Sequence, residues 1–258
     1  MDGLKKETHN YDVCLKWIPN FKCNLNCVYC WVKDLRNTVK ISEINIPDLI
    51  ETLNKTEKII NVEIGGGEPF LIPNLIEASI EITKNHFISL QTNLTSGKIK
   101  KFSEEVSPER TGYIFSSLHI KELERLNLLD KYIENFHICK DRGFNIGAFV
   151  VAYPPILDEI NENKKFFQEK GIILRFKPFI GEFDGRTYPN SYTEKEFKIF
   201  NFNKKLLSEN HNKGKLCNAG YNVCAVYPYG EVRLCFVIHK MIGNINTKIK
   251  FTDEIHVG

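Results

Sequence analysis

The sequence lacks any run of about 20 uninterrupted apolar residues, the length that a membrane-spanning helix requires. Its first ten residues, MDGLKKETHN, lack the apolar core of a secretory signal. The formal net charge is only +3 over 258 residues, which indicates no polyanionic partner such as a nucleic acid. We therefore expect a cytoplasmic protein that neither enters a membrane nor binds nucleic acid.

Internal repeats and low-complexity tracts are absent as well, and hydrophobic residues make up 42% of the chain, enough for one sizeable core with a small appendage. From residue 11 to about residue 180, short β-rich runs alternate with helical periodicity, which is typical of βα units around a parallel sheet. The predicted strands are Tyr11–Ile18, Ile59–Ile64, Phe87–Thr92, Tyr113–Leu118, Ile146–Ala152 and Ile172–Lys177. The predicted helices between them are Ser42–Asn54, Pro73–Lys84, Gly97–Val106, Lys121–Arg142 and Leu157–Lys170.

Six strands are fewer than the eight of a closed barrel, so the sequence predicts an α/β fold built on a partial (β/α)6 TIM-like barrel. The polar segment Gly181–Ser191 is predicted to be the linker out of this barrel. A helix near Thr193–Ser208 and a β-hairpin over Ala225–Val237 then form a small C-terminal extension. This pattern divides the chain into a barrel, residues 1–185, and an extension, residues 186–258.

A disulfide framework does not account for the cysteines, because three thiols near the N-terminus cannot pair among themselves. Two groups of three, far apart in sequence, predict two metal centres in a reducing compartment. The first group follows the first predicted strand, and its close spacing suits an iron–sulfur cluster, whose irons prefer soft sulfur ligands. Three protein ligands for a four-iron cluster leave one iron open for chemistry. The groups are Cys23, Cys27 and Cys30, then Cys217, Cys224 and Cys235, while Cys14 and Cys139 stand alone.

Two further motifs follow predicted strands. The run Gly65-Gly66-Gly67-Glu68 comes after the second strand, and Asn93 closes the third. Glycines allow the backbone to approach a ligand closely because they lack a Cβ atom, although such a run on its own is more often a tight turn. Since active sites of parallel α/β proteins lie at the carboxyl ends of strands, these motifs and the first cysteine group are predicted to share one rim.

The spacing Cys23-x3-Cys27-x2-Cys30, with Tyr29 before the last cysteine, resembles the signature loop of the radical S-adenosylmethionine (radical SAM) superfamily. The alternative is a zinc knuckle, but this loop contains no histidine and no fourth cysteine. The resemblance implies a [4Fe–4S] cluster whose open iron binds S-adenosylmethionine. It also implies that the cofactor is contacted by Tyr29, Gly66, Gly67, Glu68, Asn93, Ser117 and Val151. His119 stands where many relatives carry an acidic residue.

The C-terminal cysteines resemble the start of the SPASM and twitch extensions of this superfamily, through the pattern Cys217-x12-Gly230-x4-Cys235 with Cys224 inside it. The later cysteines of a SPASM domain are absent, which makes a shortened, twitch-like extension with one auxiliary iron–sulfur cluster the better match. The resemblance implies that Cys217, Cys224 and Cys235 hold this cluster, expected to be [4Fe–4S]. Its fourth position is left open, held by substrate or held by His239.

The resemblance implies reductive cleavage of S-adenosylmethionine to a 5′-deoxyadenosyl radical that abstracts hydrogen from the substrate. The expected substrate is a ribosomally made peptide, which is oxidised, cross-linked or epimerised. In an epimerisation, Cys14 or Cys139 would be a candidate hydrogen donor. The alternatives are a sugar or aminocyclitol dehydrogenase or epimerase and, more remotely, a non-catalytic metal-binding structural protein.

Fewer than twenty residues precede the predicted barrel, which leaves no room for a fused leader-binding domain. A peptide substrate is therefore expected to need either a separate recognition protein or a leader that the barrel itself recognises. The implied electron donor is a reductant such as flavodoxin or ferredoxin.

Overall fold

The computed structural model describes residues 11–203, 207 and 214–257, and its centre is a parallel sheet. Six strands run parallel in the order of the chain, which confirms the predicted α/β fold of partial (β/α)6 type. They are β1 (Val13–Trp17), β2 (Ile60–Ile64), β3 (Phe87–Thr92), β4 (Thr111–Ser117), β5 (Ile146–Ala152) and β6 (Leu174–Pro178).

Helices connect these strands and pack in series along one side of the sheet. They are α1 (Ile46–Asn54), α2 (Leu75–Asn85), α3 (Ile99–Glu105), α4 (Ile120–Arg125), α5 (Leu129–Asp141) and α6 (Ile160–Glu169). The single helix predicted over Lys121–Arg142 is wrong, because α4 and α5 are separate. Asn127 lies between them at a φ of 54°, a left-handed conformation that asparagine tolerates better than most residues.

The two faces of the sheet differ in chemistry because strand side chains alternate. Leu15 of β1 and Val62 of β2 are register partners, are fully buried and belong to the apolar core. Their neighbours Lys16 and Glu63 are also register partners and point to the opposite face. That face, which we call the lumen, carries polar and aromatic side chains along β1–β6.

The segment predicted as a linker contains a short antiparallel hairpin, β7 (Gly181–Phe183) with β8 (Arg186–Tyr188). The helix predicted near Thr193–Ser208 is α7 (Glu194–Phe200), which ends at Asn201 in a left-handed conformation, with a φ of 56°. Ser208 lies outside the described residues.

Four of the six C-terminal strands in the described ranges extend the central sheet, and the first and last of the six form a separate two-stranded sheet. The six are β9 (Leu216–Cys217), β10 (Val223–Val226), β11 (Glu231–Arg233), β12 (Met241–Asn244), β13 (Lys248–Ile249) and β14 (His256–Val257). Strand β10 pairs in parallel with β1, and β11, β12 and β13 follow in antiparallel order to give ten strands in all. The β10–β11 pair confirms the predicted hairpin. The division of the chain at residues 185 and 186 stays a prediction, and the sheet runs through both parts.

Candidate functional site

The first cysteine group lies at the carboxyl end of β1, in a cavity of about 280 Å³ that we call the cluster cavity. The same cavity is lined by the loops and strand ends that follow β2, β3, β4 and β5. Its lining includes Cys23, Cys27, Tyr29, Cys30, Gly66, Gly67, Glu68, Asn93, Ser117 and Val151, so the structure brings together every side chain predicted for the first cluster and its cofactor.

The thiol of Cys23 is surrounded by hydrogen-bond donors. Its Sγ atom lies 3.4 Å from the backbone N of Leu25 and 3.6 Å from Nδ2 of Asn93, and both groups donate to it. Asn93 Nδ2 also donates to Oδ1 of Asn24, at 2.9 Å. Donors aimed at a sulfur favour its thiolate form, which is the form that binds metals.

Burial disfavours the negative charge of a thiolate unless a nearby cation offsets that charge. Burial, and next the charge of neighbouring Cys23, raise the pKa of the Cys27 thiol to about 12. Burial also raises the pKa of Cys23. Thiols with raised pKa values lose their protons when metal binds, because the metal supplies the compensating positive charge. The chemistry of this donor set therefore fits an iron–sulfur cluster.

A single tetrahedral metal ion fits less well. Within the described ranges, no three His, Cys, Asp or Glu side chains lie close enough together to bind one metal ion. Zinc with four sulfur ligands needs those sulfurs about 3.8 Å apart, given Zn–S bonds near 2.3 Å. In an iron–sulfur cluster each thiolate binds a different iron, so its thiols need not converge on one point.

Arg36 is a residue of this cavity that the sequence reasoning missed. Its Nη1 atom donates to Oδ1 of Asn26 at 3.0 Å, while its Nε atom is buried without a hydrogen-bond partner among the described residues. A buried donor without a partner costs free energy, so this N–H is available to an acceptor bound in the cavity. Its position six residues after Cys30 was the only signal in the sequence.

The glycine run packs against the stem of the cysteine loop. A Cβ atom on Gly67 would lie 1.9 Å from the carbonyl oxygen of Lys22, and one on Gly66 would lie 2.6 Å from that of Asn20. Gly66 also has a φ of +100°, a conformation that favours glycine. The sequence predicts the close approach of a ligand at these glycines. In the structure the neighbour that requires them is the protein's own backbone.

Glu68 joins this loop to the end of β3. Its carboxylate accepts hydrogen bonds from Thr92 Oγ1 at 2.7 Å, Asn93 N at 2.8 Å and Phe70 N at 3.2 Å. Burial raises the pKa of the carboxyl to about 7 even though these donors favour its charged form. Three accepted bonds leave it little capacity for a ligand, so its first effect is to hold the Asn93 backbone beside the thiols.

Tyr29 and His119 close the β4 side of the cavity. The Tyr29 hydroxyl lies 2.9 Å from Nδ1 of His119, and the Tyr29 ring packs on Tyr153, with 4.9 Å between centroids. Burial lowers the pKa of His119 to about 4, so this imidazole is neutral near pH 7. An acidic group at this place would carry a charge, and this chain presents a neutral ring instead.

The wall of the cavity on β4, β5 and β6 is aromatic and carries one cation. The rings of Phe115 and Phe149 are stacked, with 3.5 Å between centroids. The Nζ atom of Lys177 lies 3.8 Å from the centroid of Phe115. Along β4, β5 and β6 these residues alternate with buried ones. The alternation in the sequence does not show which face of the sheet bounds the site.

The two isolated cysteines lie in different surroundings. Cys14 is on the lumen side of β1, where its Sγ is 3.8 Å both from Oε2 of Glu63, to which it donates, and from Nδ2 of Asn61, which donates to it. Cys139 is fully buried on α5 within the apolar core, and burial raises its pKa to about 12. A role for either as a hydrogen donor stays a prediction.

The C-terminal cysteines do not converge on one metal position within the described part of the chain. Cys224 is almost fully buried, and burial raises its pKa to about 12. Cys217 is half-buried on β9. Cys235 resembles Cys23, because its Sγ accepts hydrogen bonds from Val237 N at 3.4 Å and Ile238 N at 3.1 Å.

His239, one of the candidates for the fourth position of that cluster, is engaged by another side chain. Its Nδ1 atom lies 3.0 Å from Nη1 of Arg233, which can only donate. This leaves Nε2 as the nitrogen that carries the proton in the neutral ring, so binding a metal there would displace that proton. The auxiliary cluster and its ligand set stay a prediction.

No helix in residues 11–203, 207 and 214–257 combines the length and the apolarity needed to cross a bilayer.

Comparison with known proteins gives a consistent result. The model of the radical SAM superfamily matches residues 17–167. GTP 3′,8-cyclase of Clostridium perfringens (strain 13 / Type A) is 26% identical over 200 residues, which cover 73% of this chain and 62% of that protein. The chain therefore spans less than two thirds of this relative's length.

Solved structures share the fold. The anSMEcpe structure with bound AdoMet and Cp18Cys peptide has a TM-score of 0.60 at 20% identity, and the match covers 90% of this chain and 78% of that one. Streptococcus suis SuiB bound to precursor peptide SuiA has a TM-score of 0.61 at 15% identity, over 87% of this chain and 60% of that one. At these identities the likeness concerns the fold alone.

Proposed function

Because the chain belongs to the radical SAM superfamily, we propose that it is an enzyme that modifies a ribosomally made peptide by abstracting hydrogen from it. As a member of this superfamily it holds a [4Fe–4S] cluster and binds S-adenosylmethionine. When bound and reduced, these two groups together supply a carbon-centred radical. The observation that carries the proposal is the cluster cavity, where three thiols, the Gly66–Glu68 loop and the end of β3 line one space.

The protein's own residues have defined tasks in this proposal. Cys23, Cys27 and Cys30 bind the cluster, and Asn93 donates a hydrogen bond that stabilises the Cys23 thiolate. The loop at Gly66 and Gly67 lines the place of the methionine part of the cofactor. The Arg36 Nε atom supplies a free donor beside the cluster or the cofactor carboxylate.

The cofactor's nucleoside part lies along the side of the cavity lined by Tyr29, Ser117 and Val151 in this proposal. The aromatic wall next to it excludes water, which protects a reactive radical from side reactions. The neutral imidazole of His119 fixes the Tyr29 ring through the hydrogen bond between them.

A peptide substrate is supported by the shape next to this cavity. A second cavity of about 340 Å³, which we call the lumen cavity, adjoins it and has an apolar mouth. At that mouth Trp31 is 72% exposed and Phe236 is 39% exposed, so apolar side chains are available to a substrate. Two proteins of the same fold were solved with peptides bound, which agrees with this substrate class.

A nucleotide is the second candidate substrate. The similarity to GTP 3′,8-cyclase extends over 200 residues and favours a small molecule with a purine and phosphates. The two candidates predict different sources for the hydrogen that the radical takes, which makes them separable.

The second cysteine group holds an auxiliary iron–sulfur cluster in this proposal. Its support is Cys235, which accepts two backbone hydrogen bonds in the manner of a thiolate ligand. Such a cluster would accept an electron from the substrate radical or bind the substrate. A flavodoxin or ferredoxin would reduce the first cluster in a reducing cytoplasm, and a separate protein would present the leader of the peptide.

Isotope transfer tests the substrate class. Reduced holoenzyme is incubated with S-adenosylmethionine and either deuterated peptides, translated from small reading frames beside the gene, or deuterated GTP. Deuterium in 5′-deoxyadenosine from a peptide, and none from GTP, is the expected result. Deuterium transfer from GTP alone would show that the substrate is a nucleotide and would overturn the proposal of a peptide substrate.

A further inference from the structure

The lumen cavity and the cluster cavity are adjacent, because Trp31, Gly66 and Gln91 line both. An extended molecule bound at the apolar mouth of the lumen cavity therefore lies next to the wall of the cluster cavity. The charged side chains at the junction of the two cavities determine which chemical group of such a molecule can bind there.

A buried carboxylate lies on the floor of the lumen cavity. Glu63 is 3% exposed and accepts a short hydrogen bond from Nε2 of Gln91. The Nζ atom of Lys16, which is half-exposed, lies 3.9 Å from Oε2 of Glu63. This separation is at the outer limit of an ion pair, so the Lys16 ammonium retains donors for a second partner.

A second ammonium group lines the cluster cavity and lies close enough to Glu63 and Lys16 to interact electrostatically with both. Lys177 lies over Phe115, and Phe115 is the register partner of Gln91 on the neighbouring strand. Lys177 forms no ion pair with any residue that the structure describes. The contact with an aromatic face stabilises an ammonium only modestly, which leaves it able to bind an anion.

The charges at the junction sum to one positive unit, from two ammonium groups and one carboxylate. Arg36 and Glu68 lie at the thiol end, where Glu68 is held by three donors from the protein. A surplus of one positive charge matches one carboxylate. A triphosphate chain carries three to four negative charges and would be repelled by Glu63.

We propose that Lys177 and Lys16 bind the carboxylate of an acidic residue in the peptide substrate, at the junction of the two cavities. This inference rests on the proposed function and names the chemistry that the enzyme selects. An acidic side chain anchored there places its neighbouring residues in the cluster cavity, next to the cofactor. Fixing one charged group in this way positions the reacting carbon without a contact to the carbon itself.

Binding to the reconstituted holoenzyme with S-adenosylmethionine present tests the inference. The probes are the blocked pentapeptide Ala-Ala-Glu-Ala-Ala, its Gln counterpart and inorganic tripolyphosphate, titrated anaerobically by calorimetry at constant ionic strength. We expect the Glu peptide to bind about tenfold tighter than the Gln peptide, the ratio that one charge-assisted hydrogen bond gives. Lys177→Gln and Lys16→Gln should each remove most of this ratio.

For Glu63→Gln the inference predicts a direction of change in peptide affinity that a merely structural role of Glu63 would not produce. Removing the competing carboxylate should tighten binding of the Glu peptide, whereas a site that selects cations would lose affinity. Lys84→Gln, which removes an exposed lysine paired with Glu81 on α2, is the matched control and should change nothing.

Equal affinity for the Glu and Gln peptides would overturn the inference, as would tighter binding of tripolyphosphate. A Lys177→Gln variant that loses only affinity for S-adenosylmethionine would overturn it too, since Lys177 would then belong to the cofactor site. Formation of 5′-deoxyadenosine by the unmodified enzyme is measured in parallel. It tests the proposed function separately, because it requires no bound peptide.

Discussion

At the scale of single residues, the site depends on side chains that are satisfied by one another before any cofactor binds. Glu68 accepts three hydrogen bonds and fixes the backbone of Asn93, whose amide in turn donates to Cys23. The glycines at 66 and 67 have no room for a side chain, because the stem of the cysteine loop fills that space. Such a chain of contacts sets the positions of the thiols in advance.

Gly67→Ala tests this packing. The added methyl group would lie 1.9 Å from the Lys22 carbonyl oxygen, so the cysteine loop must move and we expect unfolding to become easier by about 1–3 kcal/mol, as for an overpacked site. Iron uptake should fall with it. Chemical denaturation and iron analysis measure both effects.

Gly97→Ala is the matched control for that variant. A Cβ atom there meets nothing within 4 Å, so its stability should change by less than about 0.5 kcal/mol and its iron content should not change. Equal iron content in the two variants would contradict the packing account.

Only part of this residue-level network could be predicted from the sequence. The thiols, the glycines and Glu68 stand in recognisable local patterns, so their presence at the site was predictable. The Phe115 and Glu63 side chains carry no local pattern, because their places in the site result from pairing between strands. Arg36 carries none either, because it enters the cavity from the loop after Cys30. The packing of the cysteine-loop backbone against the glycines was not predictable either, since that backbone belongs to another loop.

At the scale of elements, strands and helices that follow a local periodicity were predictable, and their pairing was not. The six parallel strands agree with prediction to within a few residues. The break at Asn127 divided one predicted helix, because a single residue in a left-handed conformation leaves the apolar periodicity of both halves unchanged. The pairing of β10 with β1 joins residues more than two hundred positions apart, and no short pattern specifies it.

His86, at the C-terminal end of α2, connects three elements, and this gives a prediction for pH. Its Nδ1 accepts a hydrogen bond from Ile60 N on β2 at 3.3 Å, while Nε2 lies 3.1 Å from Oδ1 of Asn54 at the end of α1. The ring can make both bonds only when neutral. Burial, and next the charge of Arg110, lower its pKa in the folded protein.

Since the folded pKa is the lower one, the unfolded chain binds more protons below about pH 6.5, the ordinary value for histidine. The stability contributed by the neutral ring is therefore lost as pH falls through that range. His86→Gln, which cannot titrate, should reduce the slope of unfolding free energy against pH between 5 and 7. Urea titrations across this range measure the slope, and identical slopes would contradict the assignment.

At the scale of the whole molecule, the six-stranded parallel part of the ten-stranded sheet carries the cluster cavity. The second cysteine group is spread over two sheets, because Cys224 lies on β10 beside β1 and Cys217 lies on β9, which pairs with β14. The first group is supported by a cavity, by donors to Cys23 and by the family match. The second group is supported by its spacing and by the donors to Cys235.

Iron content distinguishes one cluster from two. Anaerobic reconstitution should give about eight irons per chain if both groups bind [4Fe–4S] clusters, and Cys235→Ala should reduce this to about four. Cys139→Ala is the control, because that thiol lies in the apolar core and should not affect iron. About four irons in the unmodified protein, unchanged by Cys235→Ala, would remove the auxiliary cluster from the account.

The most direct measurement is the formation of 5′-deoxyadenosine when the reduced, reconstituted protein meets S-adenosylmethionine. We expect this product from the unmodified protein and none from Cys27→Ala, with circular dichroism showing that the variant remains folded. No product from the unmodified protein, or equal product from Cys27→Ala, would contradict the central claim that these thiols hold the cluster that cleaves the cofactor.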